Sequence, residues 1–285
     1  MTVTLRPATA EDAEVCGPIC YHAFRTIAEQ HAFPPDFPSP EVATGAMSMF
    51  LSRSDVFAVV AEQDGRVVGS NFLWETCPIA GVGPITVDPS AQNSGAGGML
   101  MDAVLGRVAE RGFPGVRLVQ SAYHNRSLSL YTRLGFDARE PLSVMQGPAI
   151  GLEIPGHRVR RGVESDVAAC NRLCLAIHGH ERGGDIAEAI AQCSASVVEH
   201  DGRITGYSTL LGFFGHAVGE TNTDMKALIA AAPGFAGLGF LLPTRNGELM
   251  RWCLAHGLRV VQPMTLMSRG LYNEPAGAFL PSVIF

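Results

Sequence analysis

Apolar and polar positions alternate over Thr2–Pro7, which predicts a strand. Thr9 followed by Asp12 resembles a capping box with Asp in the Glu place, opening a helix of about twenty residues. Phe57–Ala61 and Arg66–Trp74 flank Asp64-Gly65, the strongest short-range hairpin signal. Val82–Val87 reads as a further strand that ends at Asp88-Pro89. Leu100, Val104, Leu105 and Val108 recur at helical spacing within Gly97–Arg111, and Gly112 stops that helix. A strand at Val116–Ser121, a helix at Arg126–Leu134 closed by Gly135, and a long strand at Phe136–Met145 follow. The order β-α-α-β-β-β-α-β-α-β predicts an α+β (α/β layered) domain, a mixed sheet with helices on its faces.

The pattern then starts again. Leu5–Cys16 aligns without gaps on Val159–Cys170, so that Arg6/Arg160, Asp12/Asp166, Cys16/Cys170 and Cys20/Cys174 coincide at an offset of 154. Asp64-Gly-Arg-Val-Val-Gly69 matches Asp201-Gly-Arg-Ile-Thr-Gly206 at 137, and Leu134–Met145 matches His256–Met267 at 122. Collinear matches with a falling offset predict one duplicated domain whose second copy has lost segments. The expected division is 1–154 and 155–285, and a chain of 285 residues is the right length for two domains.

Composition narrows the function. A net charge of −6 with only 21 Lys+Arg argues against a grip on nucleic acid. The longest uncharged stretch, Ala227–Thr244, is broken by Pro233, Gly234, Gly237, Gly239 and Pro243, so no membrane span is expected. The first residues lack an apolar signal core, and the expectation is a cytoplasmic protein. None of the seven cysteines sits in a CxxC pair, so they read as buried thiols and no metal is expected.

The chemistry concentrates after Ile85-Thr-Val-Asp-Pro89, where Gln92-Asn-Ser-Gly95-Ala-Gly97-Gly98 leads into an amphipathic helix. A glycine-rich turn between strand and helix presents backbone N–H groups, backed by the helix dipole, to an anion such as a pyrophosphate. No Lys-Ser/Thr follows the glycines, which excludes a P-loop. No acidic residue ends a second strand about twenty residues on, which excludes the dinucleotide fingerprint.

The string Val87-x-Pro89-x-x-Gln92-x-x-Gly95-x-Gly97 resembles the pyrophosphate loop of the GCN5-related N-acetyltransferases (GNAT). Ser127-Leu-Ser-Leu-Tyr131-Thr-Arg-Leu-Gly135-Phe136 resembles their second signature, and the likeness covers nearly all of residues 1–150. It implies two GNAT-like domains, each a mixed, mostly antiparallel sheet flanked by helices. It implies that the amides of Gln92, Asn93, Ser94, Gly95, Ala96, Gly97 and Gly98 hold the pyrophosphate of acetyl-CoA. Ile85, Thr86 and Val87 would pair with the pantetheine, with Tyr131 near the thiol and Ser127 on the same helix. The family often has Asn seven residues before that tyrosine; here His124 stands there and Asn125 follows, and both are candidates for the pantetheine arm. Some members start the strand with a carboxylate, whereas this chain has Ala80-Gly-Val-Gly83.

Acyl transfer needs an amine that loses a proton and a departing thiolate that takes one back. Tyr131, a phenol of pKa about 10, is the candidate acid toward a thiolate near 8.5; the alternative is a core aromatic. Glu75, at a strand end, is the candidate base, and a solvated carboxylate is the alternative. Phe33, in the segment between the first two helices, and Glu75 and Glu220 are candidates for the acceptor side. In the second copy Val218–Asp224 runs into a helix with no glycine loop, Tyr131 becomes Cys253, and Asn125 becomes Gly247. The tail Leu271–Phe285, with Glu274 its only charge, is expected to pack as a strand or line the domain interface. The reading is an acetyl-CoA-dependent N-acetyltransferase acting on a small-molecule amine, as a monomer or homo-oligomer. The rival is an acyl-CoA sensor or interaction protein signalling through its second domain.

Overall fold

The computed structural model describes residues 2–284. The first copy builds β1 (Val3–Pro7), α1 (Ala13–Gln30), α2 (Pro40–Leu51), β2 (Val56–Gln63), β3 (Arg66–Trp74), β4 (Ala80–Val82), β5 (Thr86–Val87), α3 (Ala96–Arg111), β6 (Gly115–Ser121), α4 (Asn125–Arg133) and β7 (Asp137–Gln146). The second builds β8 (Arg158–Arg161), α5 (Val167–His178), α6 (Gly183–Ala191), β9 (Ser196–His200), β10 (Arg203–Ser208), β11 (Ala217–Gly219), α7 (Asn222–Ala231), β12 (Phe240–Pro243), α8 (Gly247–Ala255), β13 (Arg259–Gly270) and β14 (Ala278–Leu280). No helix among the described residues is long and apolar enough to cross a membrane.

The duplication is visible atom by atom. Arg6 forks onto Asp12 at 2.7 and 2.8 Å and turns its Nε to Glu62 at 2.8 Å. Arg160 forks onto Asp166 at 2.6 and 2.9 Å and turns its Nε to Glu199 at 2.7 Å. Each aspartate also accepts a backbone amide, from Thr9 and Val163 respectively, so the expected cap forms in both copies. The guanidinium hydrogen bonds hold both aspartates below the usual carboxylate range. The offset of 122 is kept as well, since α4 and α8 begin at Asn125 and Gly247, and β7 and β13 at Asp137 and Arg259.

One predicted strand is two. Val82–Val87 breaks between β4 and β5 because the Gly83 carbonyl accepts the Trp74 indole at 2.7 Å and Pro84 has no amide to give. β4 runs parallel to β6, with Ala80 opposite Val116 and Gly81 opposite Arg117, while β5 pairs with β3. Past the break the chain therefore leaves the β6 ladder, and β5 delivers the loop into α3 from that open side.

The chain forms two compact units, but they do not divide at 154/155. The first holds the chain up to Leu118, Tyr123–Gly135 and Ile284; the second holds Val119–Ala122 and Phe136–Val283. In the first unit the strand order is β1-β2-β3-β4-β6. In the second, β14-β11-β10-β9-β8 forms one sheet, and β7 lies between β13 and β12. The reason for the shift is strand pairing. Met145 of β7 faces Phe240 of β12 on one side and Val260 of β13 on the other, and both ladders are antiparallel. The last strand of the first copy thus has both edges satisfied by strands of the second. The tail meets its strand expectation at β14, which pairs with β11 through Ala217 and Leu280.

A chain ended after Pro155 would leave β7 with two bare edges. Such a protein is expected to be insoluble or to melt without a cooperative transition by circular dichroism. A soluble fragment with a sharp melt would contradict the pairing.

Candidate functional site

The first copy's glycine turn leads into α3 with amides that lie ahead of the helical ladder. Asp88 closes the turn at Pro89, accepting from the Ser90 amide at 2.8 Å and the Ser90 hydroxyl at 2.6 Å. The backbone then turns left-handed at Asn93 (φ 69°) and again at Gly95 (φ 90°), where a side chain would be strained. Gly95 is the N-cap of α3 and has no side chain with which to cap it. The first helical bond runs from Met99 to Gly95 at 3.2 Å, so the Gly97 and Gly98 amides precede the helical ladder. A Cβ on Gly98 would meet nothing within 4 Å, and one on Gly97 would lie 3.8 Å from both Val87 and Leu130. The β5 strand, the start of α3 and helix α4 converge at that point. Donors, helix dipole and open space coincide, which fits the phosphates that the loop's spacing predicts.

α4 supplies the other expected residues. His124 is its N-cap, with Nδ1 accepting the Ser127 amide at 3.0 Å, and burial lowers the imidazole's pKa so that it is the neutral form that caps. Asn125 opens the helix, and its carbonyl accepts the Ser129 hydroxyl. Tyr131 is buried, 6 % exposed, and desolvation pushes its phenol up to about 12 against a smaller opposing effect from the Ser127 hydroxyl. Thr86 is buried, with its hydroxyl 3.4 Å from that of Ser70.

Three further expected residues are engaged by neighbouring side chains. The Glu75 carboxylate takes Arg107 at 2.7 and 3.2 Å and Arg111 at 3.5 Å, and Arg107 stands ten residues beyond Gly97, about 15 Å along α3. Glu75 therefore ties the far end of that helix to the end of β3. Glu220 has both carboxylate oxygens on Arg203. Phe33 stacks on Tyr123, with ring centroids 4.4 Å apart and planes 16° apart, and His31 approaches the same ring. Sequence reading passed over Tyr123 and over Arg126, whose guanidinium reaches Gln92 and Asn93. The one local pointer to Arg126 is its place directly ahead of the second signature, which begins at Ser127.

The corresponding helix of the second copy, α7, is closed by its own side chain. Asp224 accepts from the Thr221 amide at 2.9 Å and the Thr221 hydroxyl at 2.6 Å, and Thr205 donates to its other oxygen. That carboxylate is buried. At the Tyr131 position, Cys253 is a buried thiol raised by burial to about 12.

Comparison with known proteins bears on the family and the fold. Residues 22–136 match the acetyltransferase (GNAT) family. A mycothiol acetyltransferase of Thermomonospora curvata is 40% identical over 80 residues, which cover 27% of this chain and 26% of that one. This chain thus spans about a quarter of that relative's length. Among solved structures, a Pyrococcus horikoshii protein assigned as an acetyltransferase shares the fold with a TM-score of 0.72 at 16% identity, covering 99% of this chain and 92% of that one. A tandem GNAT protein from the clavulanic acid biosynthesis pathway shares it with a TM-score of 0.57 at 13% identity, covering 94% and 98%.

The two key glycines should fail differently on substitution. Gly95→Val forces a β-branched residue into the left-handed region and should lower the melting temperature. Gly97→Val, whose Cβ would rest in ordinary contact with Val87 and Leu130, should fold and yet lose acetyl-CoA affinity at least about tenfold, because a side chain is added beside the Gly97 and Gly98 amides. Calorimetric titration of a folded Gly97→Val protein checks this, and wild-type affinity would contradict the placement.

Proposed function

We propose that the chain, whose residues 22–136 match the acetyltransferase (GNAT) family, moves an acetyl group from acetyl-CoA to a primary amine of a small molecule. The observation that carries the reading is the uncapped start of α3, with Gly97 and Gly98 amides ahead of the first helical bond and Tyr131 one residue from the Leu130 contact. The amine nitrogen forms its bond to the thioester carbon, the C–S bond breaks, and the electron pair leaves on sulfur. The ammonium so formed then gives up its proton.

Tyr131 serves this step as a hydrogen-bond donor. A phenol at about 12 holds its proton against a thiolate near 8.5, so it stabilises the departing sulfur without being consumed. Because burial raises its pKa, the donating form persists below about pH 12. Glu75, held by Arg107, leaves the amine to arrive deprotonated or to lose its proton to water. That same engagement is the feature favouring the second reading, an acyl-CoA sensor with little turnover.

Release of free thiol from acetyl-CoA across a panel of small amines tests the proposal. Amine-dependent release supports the enzyme, while binding with no release from any amine supports the sensor. With a turned-over amine, Tyr131→Phe should cut kcat about 10²-fold and leave acetyl-CoA affinity nearly unchanged. The wild-type pH profile should carry no limb near pH 10 arising from this phenol, since its folded value lies at about 12. A limb near 10 that disappears in Tyr131→Phe would contradict the assignment.

A further inference from the structure

A protein of net charge −6 has to hold a polyanion, yet the loop Asp88–Gly98 contains no Lys or Arg and opens on a carboxylate. A guanidinium reaches it from α4 instead. Arg126, exposed near the start of that helix, donates from both ends of its fork. One end meets Gln92 Oε1 at 2.7 Å and the other Asn93 Oδ1 at 3.0 Å. Both acceptors are neutral carbonyl oxygens, so the contact is a two-pronged clasp rather than an ion pair. Gln92, Asn93, Ser94 and Gly95 are all exposed, and Asn93 lies in the left-handed region at φ 69°. A backbone that turns left-handed twice in three residues, outside the core, needs something to hold it there.

We propose that Arg126 is a positioning residue for the acetyl-CoA site. Its fork pins Gln92 and Asn93, and so fixes the turn that presents the Gly97 and Gly98 amides at the start of α3. The inference rests on reading that loop as the pyrophosphate site. It also explains the join between the two signatures, since the clasp ties the glycine loop to the helix that carries Tyr131. The competing use of the same residue is as a plain cation that swings onto the phosphates.

Geometry separates the two uses. Arg126→Lys keeps the charge but loses the planar fork that spans two oxygens, whereas Arg126→Gln loses both. Acetyl-CoA titrations compare wild type with these two variants, with Gln92→Ala/Asn93→Ala, and with the triple combination with Arg126→Gln. The clasp predicts that Lys and Gln each raise Kd about five- to tenfold. They should raise KM for acetyl-CoA more than they lower kcat. The melting temperature of the ligand-free protein should hold, because Arg126 is exposed. The loop double variant should match them, and the triple variant should add little, because one interaction is being removed twice. Wild-type affinity in Arg126→Lys, or losses that add in the triple variant, would overturn the clasp and leave the loop reading standing. No binding by the wild type would overturn both.

Discussion

Backbone N–H groups at the start of a helix must find an acceptor, and the two copies meet that demand differently. In α3 the helix begins on Gly95, which has no side chain to offer, and the ladder starts only at Met99. In α7 the demand is met internally, because Asp224 and Thr221 form a closed capping box and Thr205 holds the carboxylate from beneath. At α3 the Ser94 hydroxyl meets only the Ala96 amide, whereas at α7 Thr221 and Asp224 cap each other. Everything else in the first copy is arranged around that open start. β5 leaves the β6 ladder to deliver the loop, and α4 brings Leu130 and Arg126 against it.

The second copy contributes in another way. Its Arg160–Asp166–Glu199 network repeats Arg6–Asp12–Glu62 contact for contact, so the fold of the two copies rests on the same local chemistry. It also supplies β12 and β13 as the two neighbours of β7. The second copy thereby completes the hydrogen bonding of a first-copy strand.

Much of this was legible in the residues. Arg66–Trp74 was bounded correctly because Asp64-Gly65 leaves little freedom in a tight hairpin, and the repeat was readable because Arg6/Arg160 and Asp12/Asp166 do structural work that tolerates no change of type. The spacing of Gly95 and Gly97 pointed to the helix start that the structure leaves uncapped. What stayed hidden was partner choice. Nothing in Asp137–Gln146 says whose strands will flank it, since an apolar strand pairs with any edge of matching register. Glu75 was placed at a strand end correctly, but its neutralisation by Arg107 depends on where α3 passes, which no local pattern encodes. Arg126 was hidden for the same reason, because its acceptors lie 34 and 33 residues away. The break after β4 turned on a side-chain contact as well, the Trp74 indole on the Gly83 carbonyl nine residues on.

We propose one polyanion site per chain, at α3, because the matching start of α7 is closed by the Thr221–Asp224 capping box. Isothermal titration of the intact protein with acetyl-CoA counts the sites directly. The account requires a stoichiometry of one per chain. Two equivalent sites per chain would contradict it.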